Sequence, residues 1–161
     1  MSDFDERLHR AIERGNRHLA AQEQAKQAQA MTEEQFKRLH AQLRLPLTEH
    51  IERCLARLPP NFPGFRFETV IGDRGWGAAV SRDDVSLGGG DRRNLFSRLE
   101  MLIRPFSSAH VLELTARGTI RNKEVYSRTH YQILSEADPE TFTELVDLWV
   151  LEYAELYASK R

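Results

Sequence analysis

Arg117, Arg128 and His130, with Tyr126 beside them, combine cationic hydrogen-bond donors with an aromatic face. That chemistry suits an anion: a phosphate, a partner's carboxylate or a single-stranded nucleic acid. Whether they meet depends on strand register. Asparagine tolerates the left-handed backbone of tight hairpin turns, so Asn122-Lys123 is taken as a two-residue turn. Arg121 then faces Glu124, Ile120 faces Val125, Leu114 faces Tyr131, Leu112 faces Ile133 and Arg117 faces Arg128. A turn at Ser108-Ala109 adds Arg104 opposite Glu113 and Glu100 opposite Arg117. The result is a wet face of crossed charges with one cation in surplus. The competing reading is a solvated ladder, in which each exposed pair is worth only about 0–1 kcal/mol.

Other chemistry is thin. His9, His18, His40 and His50 fall on a helical stretch among glutamine, lysine and arginine, without an HExxH pattern or a close His/Cys pair, and are read as solvated. His110 and His130 lie on strands, too far apart in this register to share a metal. Cys54 sits beside an apolar helix face, where a free cysteine behaves as a small hydrophobe. Gly88-Gly89-Gly90-Asp91-Arg92-Arg93 lacks the Lys-Ser/Thr ending of a phosphate loop and reads as a connection, with Asp91 to Ser97 as a helical turn capped by Asp91. Gly72 to Gly75 reads as a turn and Trp76 as core. No nucleophile stands beside a base and an orienting acid. The expectation is no catalytic residue, no metal and no cofactor, leaning away from an enzyme.

The elements that must position these residues follow from periodicity. Asp5 to Arg44 contains no proline and only Gly15, within a composition rich in helix formers. Leu8, Ile12 and Leu19 make a thin stripe there. The stripe resumes at Phe36, Leu39, Leu43, Leu47, Ile51, Leu55 and Leu58. Pro46 predicts a kink or break, with a second helix to Leu58 ended by Pro59-Pro60. A hairpin follows, Phe65–Ile71 with Trp76–Arg82, then strands over Arg98–Phe106, His110–Arg121 and Glu124–Leu134. Asp138-Pro139-Glu140 joins an N-cap, a proline at the first helical position and an early acid, predicting a helix over 139–158. Phe142, Leu145, Val146, Trp149, Tyr153 and Leu156 form its packing face, and Glu140, Glu144, Asp147 and Glu155 face water. Leu148, Val150 and Leu151 widen its apolar band. The fold expected is α+β: a helical arm over 1–45, then a globular domain over 46–161 with about five antiparallel strands and an amphipathic C-terminal helix on one sheet face.

Composition bounds the partners. The chain has 161 residues, 40% hydrophobic and 29% charged, enough for one core without staples. Its 23 basic and 24 acidic side chains nearly cancel, so nothing in the total points to nucleic acid. Locally, residues 135–161 carry 2 basic and 7 acidic groups, while residues 59–134 carry 11 and 8. A single cysteine, an acidic start without an apolar run and no membrane-length stretch lead to the expectation of a cytoplasmic protein. A thin amphipathic stripe cannot hold a helix by itself. The arm (Leu8, Ile12, Leu19) and the broad C-terminal helix (Leu148, Leu151) are therefore expected to serve protein–protein contacts, with a homodimer foremost.

Overall fold

The computed structural model describes residues 3–86 and 93–160. The order is α1 (Asp3–Leu55), α2 (Leu58–Asn61), β1 (Arg66–Gly72), β2 (Gly75–Ser86), β3 (Arg93–Ile103), β4 (Val111–Ile120), β5 (Lys123–Ile133), a 3-10 turn (Leu134–Glu136) and α3 (Pro139–Lys160). The strands form one antiparallel meander in sequence order, and the class is α+β as the periodicities predict. The chain divides into two compact units, 1–38 and 39–161. No helix among the described residues is long and apolar enough to cross a membrane.

α1 continues through Pro46 instead of breaking there, so the second helix expected from Pro46 is the end of α1. A proline inside a helix costs about 3 kcal/mol. Leu47, Ile51 and Leu55, buried on one face immediately after it, each recover about 1.5–3 kcal/mol. The Thr48 hydroxyl donates to the Leu45 carbonyl within the same turn.

α3 and the last part of α1 cover one face of the sheet. Phe142, Val146, Trp149, Tyr153 and Tyr157 of α3 are buried, as are Val80, Leu99, Met101, Leu112, Leu114 and Ala116 of the sheet. Arg44 of α1 lies 4.2 Å above the Trp76 ring, and the Tyr153 hydroxyl donates to the Thr119 carbonyl. The expected cap of α3 is in place: Asp138 accepts from the Glu140 amide and the Thr141 hydroxyl.

Two local expectations are corrected and one register holds. Residues 93–97, read as a helical turn, are strand, because β2 extends to Ser86 and pairs with them; the glycine connection and Asp91 lie outside the described residues. Glu100 does face Arg117, and the Arg104 amide donates to the Glu113 carbonyl, as the Ser108-Ala109 hairpin required. The last hairpin differs. Its turn is Arg121-Asn122, at φ 49° and 70°, and the register slips again at Gly118/Thr119. Arg117 consequently faces Ser127, Arg128 faces Ala116 and His130 faces Leu114. A one-residue shift moves a strand's side chains to the other face.

The turn is held from β3. Asn122 accepts from the Phe96 amide and donates to the Asn94 carbonyl, and the Arg121 amide donates to the buried Ser97 hydroxyl. Asn122→Ala loses both side-chain bonds and places a Cβ-bearing residue without local compensation at positive φ. It is expected to cost about 2 kcal/mol in urea unfolding. An unchanged midpoint would contradict this account of the turn.

Candidate functional site

His50 and Cys54 are one helical turn apart on the last part of α1, so both project from the same face. That face meets α3 at Asp147. His50 Nε2 donates to Asp147 Oδ1 at 2.7 Å, the Cys54 thiol donates to the same oxygen at 3.3 Å, and Cys54 Sγ lies 3.5 Å from His50 Nε2. The three atoms form a closed triangle, the one such cluster of three His, Cys, Asp or Glu ligand atoms among the described residues.

This is not a nucleophile's setting. Burial first, then the hydrogen bond to Asp147 and that carboxylate's charge, push the Cys54 thiol up to about 11. The imidazole also presents Nε2 to both neighbours, whereas a triad needs it to bridge thiol and acid through its two nitrogens. Cys54 and Asp147 open onto a groove of about 540 Å³ whose apolar wall includes Leu58, Phe62, Val150 and Leu151.

The sheet face not covered by helices carries a second cluster. Glu100 is 7% exposed, with Arg74 bound to both its oxygens at 3.1 and 2.9 Å and Arg98 at 2.9 Å. Arg98 also donates to Glu68 at 2.7 Å. Arg117 lies across from Glu100 and 3.7 Å from Glu124. Shallow pockets of about 400 and 340 Å³ flank this lattice.

The structure separates the four residues proposed as an anion site. Arg117 is on the open face. Tyr126, Arg128 and His130 are on the helix-covered face, where Tyr126 donates to the Trp149 carbonyl, Arg128 pairs with Glu152 at 2.6 Å and the His130 ring packs edge-on against Phe142. Burial pushes the Tyr126 phenol well above its ordinary value, which keeps it a neutral donor. Of the self-association residues, Leu8, Ile12 and Leu19 on the arm and Leu148 and Leu151 on α3 are all exposed.

Two of the histidines read as solvated are not. His40 is 3% exposed, donates from Nε2 to the Arg104 carbonyl and packs against Phe106. Burial, the largest influence, holds its pKa below the ordinary value. His50 belongs to the triangle above. The expectation of no close His/Cys pair is corrected here: His50 and Cys54, four residues apart, meet on one helix face, and that His-x-x-x-Cys spacing is the signal that was missed, while the third member, Asp147, was legible only as a water-facing acid on another helix.

Comparison with known protein families, with curated proteins and with solved structures returns no match.

Proposed function

We propose that the protein is an interaction protein that self-associates through its N-terminal helix. The observation that carries this reading is the exposure of Phe4, Leu8, Ile12 and Leu19, at 66, 48, 54 and 56%. Four large apolar side chains recur along the arm at spacings of four and seven residues. They leave water only if another apolar surface meets them, and such burial is worth about 25 cal/mol per Å². A second copy of the chain is the occupant favoured by charge. The first turn is acidic at Asp3, Asp5 and Glu6, whereas the next three turns carry Arg7, Arg10, Arg14 and Arg17 against the single acid Glu13. Antiparallel arms set the acids of one beside the arginines of the other.

Leu148 and Leu151, 57 and 66% exposed on α3, offer a second apolar contact. Anion binding has less support, because Glu68, Glu100, Glu124 and Glu152 already engage the arginines it would need.

Light scattering after size exclusion tests the reading. The full chain is expected to approach twice its monomer mass as concentration rises, and the double substitution Leu8→Glu, Ile12→Glu is expected to remain a monomer. Both positions are exposed, so circular dichroism should show an intact fold. A monomer throughout, or a dimer indifferent to the two charges, rules the arm out.

A further inference from the structure

The His50, Cys54 and Asp147 triangle has the composition and dimensions of a metal-ligand face. We infer that these three side chains form a binding site for one zinc ion, with the fourth position left to water.

The ligand set comes first. An imidazole nitrogen, a thiolate and a carboxylate oxygen together select a borderline-soft divalent ion, and zinc accepts all three donors. The dimensions follow. Zinc bonds of about 2.0–2.3 Å in a tetrahedron set ligand atoms about 3.4 Å apart for nitrogen and oxygen, and about 3.6 Å apart where sulfur is one of the pair. The two sulfur edges here are 3.5 and 3.3 Å, already close to those values. The His50–Asp147 edge is 2.7 Å and must widen by roughly 0.7 Å to reach the same tetrahedral geometry. The Asp147 side chain is half exposed, so rotation of its carboxylate supplies that opening without moving either helix.

The backbone is ready for the ion. His50 and Cys54 are fixed one turn apart inside a continuous helix, next to Ile51 and Leu55, which are fully buried. Val146, fully buried beside Asp147, fixes the facing side of α3. The sequence distance between the ligands, 50 and 54 against 147, makes the ion a cross-link between the end of α1 and α3.

On binding, the thiol proton of Cys54 leaves to solvent and its sulfur takes the metal. The hydrogen on His50 Nε2 is replaced by the ion, and the neutral imidazole carries its hydrogen on Nδ1 instead. The ion's last position is open on the side where Cys54 and Asp147 border the groove. Three protein ligands and a water make an open site, unlike the four-ligand closed sites that only brace a fold.

The test titrates the reduced full-length protein with cobalt(II) as a spectroscopic substitute and with zinc against a chromophoric chelator. One equivalent of cobalt is expected to produce the visible bands of a tetrahedral site and a near-ultraviolet thiolate charge-transfer band. Cys54→Ser should abolish the charge-transfer band, and His50→Gln and Asp147→Asn should each weaken zinc by about a hundredfold or more. His9→Gln with His18→Gln, on the exposed arm, should change nothing. Thermal melts show whether each variant folds, and any two of the three ligand substitutions suffice for the argument. Zinc should also raise the melting temperature of the unsubstituted protein and not that of Cys54→Ser. Failure of cobalt and zinc to bind at one equivalent, or binding that survives loss of Cys54 and Asp147, overturns the proposal and leaves the triangle as a hydrogen-bonded pin between two helices.

Discussion

Gly77→Ala is expected to destabilise the protein by about 3 kcal/mol or more, enough to broaden or abolish its cooperative denaturant transition. Gly77 sits in β2, between Val70 of β1 and Leu102 of β3. A Cβ built there overlaps the Met101 carbonyl oxygen and lies 2.9 Å from its carbon and 3.1 Å from the Leu102 Cα. All three are backbone atoms, so no side-chain rotation relieves the overlap. β2 and β3 must separate, and the strands on either side lose register with them. Gly15→Ala is the matched control: nothing lies within 4 Å of its added Cβ, and in a helix alanine is favoured by about 1 kcal/mol. Urea unfolding of both variants checks the contrast. A midpoint for Gly77→Ala within experimental error of the unsubstituted protein would mean that the strands do not approach as described.

The local order of elements was readable because each carries its own punctuation. Asp138-Pro139-Glu140 starts α3, and Gly72 to Gly75 turns β1 into β2. The pairing of Glu100 with Arg117 was readable for a different reason: opposite charges on the wet side of two adjacent strands fix a register that apolar residues alone leave loose. The last hairpin was not readable, and two residues explain why. Arg121 adopts positive φ with its amide on Ser97, yet arginine is no turn former, so the sequence pointed one residue later. Gly118 then admits the Tyr126 and Tyr153 rings, each 3.1 Å from where a Cβ would lie, at the point where the register slips. Tyr153 arrives from α3, and no inspection of the strand anticipates it. The shift exposes Tyr131 and Ile133, at 64 and 52%, and turns Arg128 and His130 toward the helices. The His50, Cys54 and Asp147 triangle was missed: His50 and Cys54 share one helix face by their spacing of four, but the acid that joins them comes from α3, a contact that only the packing of the two helices decides.

Glu100→Ala is expected to cost about 2–3 kcal/mol and to create a polyanion-binding surface that the natural protein lacks. The carboxylate is almost fully buried and takes three charge-assisted hydrogen bonds from two arginines. Removing one partner of a buried ion pair strands the other and costs about 3–5 kcal/mol. The figure is lower here because the Arg74 side chain is 61% exposed and rehydrates. Arg98 keeps Glu68, at 2.7 Å, but Arg74 loses its two hydrogen bonds and Arg117 loses the acid across from it. Three guanidinium groups then line one shallow face with too few acids to neutralise them. A labelled single-stranded oligonucleotide should bind the variant at low ionic strength, with affinity falling steeply as salt rises. Glu124→Ala supplies the comparison. Its pair with Arg117 is 3.7 Å long and mostly exposed, so it should change stability by less than about 1 kcal/mol. If the unsubstituted protein binds the oligonucleotide as tightly as Glu100→Ala, then Glu100 does not neutralise the face. The open side of the sheet, not the arm, would then be the surface on which this protein acts.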